Sequence, residues 1–192
     1  MNTIELQGQI RAIYKGSRNT IVTLFVRNRR INFPQVVFSG YRRSLIDGSG
    51  EDGADGFSEG DYVRISGLLK TRGIVQEDGR ILHTQFIRGD DIILLDEPEE
   101  GERFDFLNEG KLVGKIVRST ANNNMVTLLV RPDDENFNVW AFKYTDNAEE
   151  EAEKFAVGSI ISAKCEMQTV RKTIRGEVKH FENFVITEAE VR

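Results

Sequence analysis

Short stretches in which apolar and polar residues alternate recur along the whole chain. In residues 4–11 the apolar positions Ile4, Leu6 and Ile10 alternate with polar ones, and this period of two is typical of a half-buried strand. The same alternation, or a β-branched run, predicts further strands at 21–26, 35–38, 62–69, 82–87 and 92–95, and then at 111–117, 125–130, 138–142, 160–167 and 178–186. The predicted fold class is therefore all-β.

The two halves of the chain repeat one another in the same order. Five pairs of similar segments carry the repeat: 6–10 with 112–116, 22–27 with 126–131, 32–38 with 136–142, 60–71 with 158–169, and 86–87 with 184–185. Five strands per repeat fit a small closed barrel better than an open sheet, because closure removes the unpaired edges. We predict two tandem five-stranded barrels, the first in residues 1–96 and the second in 109–192, joined by an acidic linker at 97–108.

Two stretches depart from the strand pattern. Residues 44–60 are rich in glycine and acidic side chains, which predicts a flexible loop; an acidic mimic of nucleic acid is the alternative. Residues 147–155 favour a short helix. Both lie between the third and fourth predicted strands of their repeat, where an OB barrel carries a helix or a variable excursion. The pattern therefore indicates two OB-type barrels.

The formal net charge of −5 is unevenly distributed. Residues 1–95 carry 13 basic and 11 acidic side chains, whereas residues 96–192 carry 13 and 20. Since charges interact over about 8–10 Å at physiological salt, a basic face can coexist with an acidic total. The composition therefore allows a nucleic-acid ligand, but it argues against coating duplex DNA by bulk positive charge.

Few residue types suited to metal or covalent chemistry are present. A single cysteine, Cys165, excludes an intrachain disulfide, and with only two histidines it disfavours a Cys/His zinc site; a site made of carboxylates alone stays open. The chain carries no Gly-rich phosphate loop and no Gly-x-Ser-x-Gly motif, so we expect no enzyme and no cofactor. Without a signal peptide or an apolar stretch long enough to span a membrane, a cytoplasmic protein is expected.

Several segments resemble the bacterial single-stranded-DNA-binding protein family, known as SSB. Residues 6–10, 22–27 and 33–40 resemble its first three strands. Residues 59–67 resemble its fourth, in which the family pattern is matched by Gly60, Val63, Ile65 and Gly67. The second repeat keeps Gly158, Ile161 and Ala163 but has Cys165 in place of the last glycine. The resemblance implies a tandem two-OB variant that binds single-stranded DNA in replication or recombination, as encoded by some phages and mobile elements, and in which a homodimer supplies four barrels.

Strand alternation assigns the aromatic residues to faces. In the third strand of the first repeat, Val36 and Phe38 are predicted to point inward, and Phe33, Gln35 and Val37 outward. The repeat then predicts Trp140 and Phe142 inside the second barrel, with Phe137, Val139 and Ala141 outside. Three aromatic residues become candidates for base stacking, namely Phe25, Phe33 and Phe137. For Phe33 the alternative is loop packing.

Basic residues cluster near these aromatic positions, and each could instead be a solvated loop charge. In the first repeat the candidates for nucleic-acid binding are Arg27, Arg29, Arg30, Tyr41, Arg42, Arg43, Lys70, Arg72 and Arg80. In the second repeat they are Lys115, Arg118, Arg131, Arg171, Lys172 and Arg175. We expect the first barrel to bind more tightly, because the acidic side chains are concentrated in the second half.

The predicted function is single-stranded DNA binding without sequence preference, by stacking and by Arg or Lys contacts to phosphates. RNA is not distinguished from DNA by the sequence, and replication proteins are possible partners. The alternative is an OB-fold interaction module that binds no nucleic acid. The linker, which contains two phenylalanines among acidic residues, is expected to be a spacer, although it is similar to the family's acidic recruiting peptide.

Overall fold

The computed structural model describes residues 1–48, 56–75, 79–133, 135–174 and 176–192, with the backbone alone at positions 74, 82, 174 and 177. The strands of the first repeat are β1 (Asn2–Lys15), β2 (Asn19–Arg27), β3 (Ile31–Asn32), β4 (Gln35–Ser39), β5 (Tyr62–Val75) and β6 (Ile81–Leu94). The strands of the second repeat are β7 (Leu107–Asn122), β8 (Met125–Pro132), β9 (Val139–Tyr144), β10 (Ile160–Ile174) and β11 (Glu177–Val191). The predicted all-β fold class is confirmed.

Helical structure is confined to short segments within the described residues. A 3₁₀ turn (Gly40–Arg42) leads into α1 (Arg43–Asp47), and α2 (Ala148–Lys154) lies in the second repeat, where a helix was predicted. The start of the predicted loop at 44–60 is thus helical, while residues 49–55 lie outside the described residues. No helix of the described chain is long and apolar enough to cross a membrane.

The chain forms two compact units. We call Ile4–Leu68 with Ile87–Asn108 the N-terminal unit, and Met1–Thr3, Leu69–Phe86 and Glu109–Arg192 the C-terminal unit. The hairpin arm formed by the end of β5 and the start of β6 therefore belongs to the C-terminal unit. The domain boundaries predicted from the sequence stay a prediction.

The strand pairings of the N-terminal unit form a closed ring that starts and ends at β1. β1 pairs with β2, β2 with β4, and β5 with β1, all antiparallel, whereas β4 pairs with β6 in parallel. β6 and β5 are neighbours and complete the ring. β6 is one continuous strand, although two strands were predicted there, because Arg88–Asp91 continues the extended backbone between them.

The C-terminal unit repeats this connectivity. β7 pairs with β8, β8 with β9, β11 with β10, and β10 with β7, all antiparallel. β9 pairs with β11 in parallel, as β4 does with β6. A glycine precedes β5 and β10 by two residues and makes the same contact in each unit: the N–H of Gly60 donates to Ile10 O at 2.9 Å, and that of Gly158 to Ile116 O at 2.8 Å. The two units therefore share these backbone contacts.

Each unit buries the apolar face of its strands around one large ring. Phe38 is fully buried in the N-terminal unit and Phe184 in the C-terminal unit. Each ring lies against a glycine of another strand, Phe38 on Gly89 and Phe184 on Gly110, and an added Cβ at either glycine would collide with the ring. The glycines are therefore required by close packing. Phe86, which the repeat aligned with Phe184, is only half-buried, so that sequence match is wrong.

The predicted faces of the third strand are correct in one unit and wrong in the other. Val36 and Phe38 are buried as predicted. In β9, however, Val139 and Ala141 are buried, while Trp140 and Phe142 are half-buried on the outer face. The prediction that Trp140 and Phe142 fill the core, with Val139 and Ala141 outside, is therefore corrected.

The cause of this reversal is a change in strand register. Val22 lies opposite Val36 in the N-terminal unit, and the constant sequence offset of 104 would place Val126 opposite Trp140. The structure places Val126 opposite Lys143, three residues further along. Because side chains alternate with a period of two, an odd shift moves every side chain of the strand to the other face.

Candidate nucleic-acid interface

Five aromatic rings form a continuous row on the N-terminal unit, which we call the aromatic row. Their order is Phe33, Phe25, Phe106, Phe104 and Tyr62, and consecutive ring centroids are 5.8, 5.5, 5.0 and 4.5 Å apart. All five side chains are half-buried. These centroid distances and the tilted or edge-on angles between the rings are those of favourable aromatic pairs.

Local strand structure explains the positions of the rings from β2 to β4. Val22, Leu24 and Val26 face the core, so the alternation turns Phe25 outward, as predicted. Phe33 lies between β3 and β4, where Leu24 N donates to Pro34 O at 3.0 Å and holds the chain beside β2. The Phe33 ring packs against Phe25 on the outer surface, and base stacking on it stays a prediction.

The linker supplies the other two phenylalanines of the row, which the sequence-based prediction did not include. Gln7 Nε2 donates to Asp105 O at 2.8 Å, and Arg64 donates twice to Gln7 Oε1 at 3.0 and 2.8 Å. These bonds hold residues 104–106 against the N-terminal unit. A spacer does not need two phenylalanines two positions apart. This spacing in the sequence is the signal from which the contact of the linker with the row could have been predicted.

Arginines lie beside the aromatic row. The guanidinium carbon of Arg11 is 5.7 Å from the Phe25 ring centroid, a cation–π contact that places a positive charge directly at the row. Arg11 was not predicted, although it lies on the polar face of β1, two residues after Gln9, which pairs with Phe25. The predicted residues Arg27, Arg29 and Arg30 are exposed at the end of β2 and in the connection to β3.

The predicted group at residues 41–43 has structural partners of its own. Tyr41 is 76% exposed, and the Arg42 guanidinium lies 4.7 Å from its ring centroid. Arg42 also forms an ion pair with Asp90 at 3.1 Å. Arg43 donates to the carbonyl oxygens of Gly16 and Ser17, each at 3.0 Å, and so fastens the turn between β1 and β2. Arg42 and Arg43 therefore make contacts within the protein that stabilise the fold.

Three predicted cations of the C-terminal unit lie over aromatic rings. Lys70 Nζ is 5.6 Å from the Phe137 ring, and Lys172 Nζ is 5.9 Å from the Phe181 ring. Arg72 is 6.0 Å from the Phe86 ring. Lys70 and Arg72 belong to the hairpin arm, where cationic contacts were predicted. The predicted aromatic residue Phe137 is half-buried beneath Lys70.

The remaining predicted cations of this unit are exposed, namely Arg80, Lys115, Arg118, Arg131 and Arg171. Arg131 donates from Nε to Asn138 Oδ1 at 3.2 Å and lies opposite Lys115 on the neighbouring strand. Arg171 lies opposite His180, and burial together with this positive charge lowers the pKa of His180. Arg175 lies outside the described residues.

Trp140 is held on the outer face of the C-terminal unit by a buried glutamine. Gln85 Nε2 donates to Trp140 O at 3.2 Å and to Glu182 O at 3.2 Å, while its Oε1 accepts from Trp140 N. Thr71 Oγ1 donates to Asn138 O at 2.7 Å. These hydrogen bonds attach the hairpin arm to β9 and to the residue before it. The sequence analysis did not predict them, because they depend on which residues of β9 pair with β8.

Cys165 offers no reactive thiol to this surface. It is buried in the core of the C-terminal unit, and burial raises the pKa of its thiol to about 12. The thiol is therefore protonated at neutral pH, and the residue acts as a small apolar side chain.

Two crystal structures of the single-stranded DNA binding protein from Thermus aquaticus have similar folds. The wild-type structure superposes with a TM-score of 0.67 at 16% identity, covering 99% of this chain and 92% of that protein. A deletion mutant of the same protein gives 0.65 at 15% identity, covering 99% and 93%. No protein-family model and no curated protein sequence matches the chain. The likeness therefore establishes the fold, which extends over both units.

Proposed function

We propose that this chain binds single-stranded DNA through the aromatic row and the arginines beside it. The observation that carries the proposal is the row itself: five outward, half-buried rings in mutual contact, with Arg11 over Phe25. Unpaired bases present π-faces that duplex DNA keeps stacked. A row of rings with adjacent cations is what binding without sequence preference requires.

The rings are already ordered before a ligand arrives. Phe25 is in contact with rings on both sides, Phe33 and Phe106, so its rotamer is restricted in the unbound protein. Ordering a side chain on binding costs about 0.5–1.5 kcal/mol, and a preordered ring avoids part of that cost. Each base stacked on such a ring contributes about 1–3 kcal/mol.

The arginines supply the phosphate contacts. Arg27, Arg29 and Arg30 are exposed and close in sequence to Phe33, and Arg11 lies at Phe25, so we expect positive charge at this end of the row. Acidic side chains farther from the row than about 8–10 Å are screened at physiological salt, whereas the exposed Asp105 lies between Phe104 and Phe106 in the sequence and disfavours phosphates at that end. We expect affinity to fall with rising salt, with a shallow slope because stacking contributes much of the binding.

We further propose that the protein protects or presents single strands during replication or recombination. The SSB resemblance in residues 6–67 supports this role. We also propose a phage or mobile-element origin and a homodimer with four OB folds. RNA and replication proteins are proposed as further partners, because RNA offers the same stacking faces and phosphates.

Fluorescence anisotropy with labelled dT, rU and duplex oligonucleotides of equal length tests the proposal. We expect dT to bind much more tightly than duplex DNA, and Arg30→Glu to weaken dT binding about tenfold or more, because a charge next to the row is reversed. Arg18→Glu is the control, since Arg18 is equally exposed in the turn between β1 and β2. Binding of no oligonucleotide would instead favour the interaction module, and preference for duplex DNA would exclude stacking.

A further inference from the structure

Gln9 is a polar residue within the outer surface that carries the aromatic row. Its partners on the two flanking strands are Phe25 of β2 and Tyr62 of β5. Directly opposed side chains lie on the same face of a sheet, with Cβ atoms about 4.5–5.5 Å apart. The end of the Gln9 side chain, which is half-buried, is therefore within reach of a group that lies against either ring.

One half of the Gln9 carboxamide is engaged by the protein. Its Nε2 donates to Gly60 O at 3.0 Å. Since a carbonyl oxygen only accepts, this bond fixes which end of the carboxamide faces Gly60, and Oε1 points away from it. Within the described part of the chain, Oε1 of Gln9 accepts no hydrogen bond. The fold thus presents an oriented acceptor beside the aromatic row.

Gln7, two residues earlier on the same face of β1, has a carboxamide that the protein uses at both ends. Its Nε2 donates to Asp105 O at 2.8 Å, and its Oε1 accepts from Arg64 at 3.0 and 2.8 Å. The linker is therefore held at Gln7 and not at Gln9. Both glutamines are half-buried, so the open acceptor distinguishes two residues that are otherwise alike.

An unpaired base offers the group that this acceptor requires. The N3–H of thymine, and N–H groups of the other bases, lie on the Watson–Crick edge, which duplex DNA uses for pairing and which an unpaired base leaves open. Stacking on an aromatic ring uses the face of a base, whereas a hydrogen bond to a neighbouring side chain uses its edge. The two kinds of contact are therefore compatible on one base.

We propose that Gln9 is a further DNA-binding residue, whose Oε1 accepts a hydrogen bond from the Watson–Crick edge of a base stacked on Phe25 or Tyr62. The contact rests on the proposed function, because it requires an unpaired base on the aromatic row. It reads a property that stacking alone does not detect, namely that the N–H of the base is not already engaged in a pair. Gln9 thereby contributes to the selection of single strands over duplexes.

An oligonucleotide of N3-methylthymidine tests this contact, because methylation removes the N3–H and leaves the flat ring. Its affinity for the full chain is compared by fluorescence anisotropy with that of dT of equal length, in the wild type and in Gln9→Met. Methylation is expected to weaken binding to the wild type about two- to tenfold more than binding to Gln9→Met, the range for one hydrogen bond. Equal penalties in the two proteins would overturn the role of Gln9 and leave the proposed function standing. No binding of dT by the wild type would count against both.

Gln7→Met is the matched control, since it removes a carboxamide of the same strand and face whose oxygen is already engaged. We expect it to retain the methylation penalty of the wild type, even where a loosened linker lowers its affinity for both oligonucleotides. Loss of the penalty in both variants would contradict the assignment to Gln9. Thermal melting shows whether the variants fold. If Gln9→Met does not, the wild-type chain decides, because equal affinities for dT and the methylated oligonucleotide would overturn the proposal.

Discussion

At the scale of single residues, Phe25 shows how strand alternation produces a binding surface. The neighbours of Phe25 along β2 are buried, and the ring of Phe25 itself contacts Phe33, Phe106 and Arg11 on the outer face. A ring so placed is stabilised by its neighbours and still half-exposed. We therefore expect both the packing of the aromatic row and base stacking to depend on Phe25.

The substitution Phe25→Ala is expected to reduce the affinity for dT by about 1–3 kcal/mol, the usual loss for one stacked base. Isothermal titration of wild type and variant measures the difference. Tyr14→Ala provides the control, since Tyr14 is 67% exposed on β1 and is not part of the aromatic row. Equal losses of dT affinity in the two variants would show that the position of Phe25 in the aromatic row makes no specific contribution to binding.

At the scale of the strands, the sequence predicted those faces that alternation alone determines. The core positions of β1 up to Ile10, and those of β2 and β4, follow the alternation, and Ile10, Leu24 and Phe38 are buried accordingly. The inward face of β9 could not be obtained in this way. It depends on which residue of β9 lies opposite Val126, and pairing register is a property of two strands and the connection between them.

The sequence predicted only that part of the aromatic row and its arginines that local patterns determine. Phe25, Phe33 and the arginines after β2 follow from alternation and from clustering along the chain. Phe104 and Phe106 reach the row through a long-range contact, the hydrogen bond between Gln7 and Asp105. No local pattern in the sequence contains that contact, so the linker was expected to be a spacer.

The linker ring Phe106 provides a prediction for this element. Phe106→Leu retains most of the apolar volume but removes the edge-on ring contacts with Phe25 and Phe104, which are worth about 0.5–1.5 kcal/mol beyond burial. We expect a small decrease in the melting temperature and a clear loss of dT affinity. Calorimetry and anisotropy measure the two effects. Unchanged dT binding would mean that the Phe106 ring contributes nothing to the site, and tighter binding that the linker competes with the bases.

At the scale of the whole molecule, charge differs between the halves more than fold does. Both units have the same ring of strand pairings, and residues 1–95 carry a small basic excess and residues 96–192 an acidic one. This excess is not a property of the N-terminal unit as a whole, because that unit includes the acidic linker, so the charges close to each aromatic residue decide. In the C-terminal unit Phe137 lies close in sequence to Asp133 and Glu135, whereas Phe33 follows three arginines. Nearby like charge disfavours phosphates, so the two units are not expected to contribute equally.

This asymmetry is testable in the intact chain. Phe33→Leu is expected to weaken the binding of a short dT oligonucleotide several-fold more than Phe137→Leu, because the surroundings of Phe33 are more basic. The two substitutions are chemically identical and both side chains are half-buried, so each serves as the control for the other. A larger loss from Phe137→Leu would assign the stronger site to the C-terminal unit.

Photochemical cross-linking tests most directly whether unpaired bases lie on the aromatic row. A dT oligonucleotide carrying 5-iodouracil is bound to the full chain and irradiated, and the cross-linked residues are identified by mass spectrometry. We expect cross-links at Phe25, Phe33 and the linker phenylalanines. A complex that forms normally but cross-links only at exposed aromatic residues elsewhere, such as Tyr14, would contradict base stacking on the row.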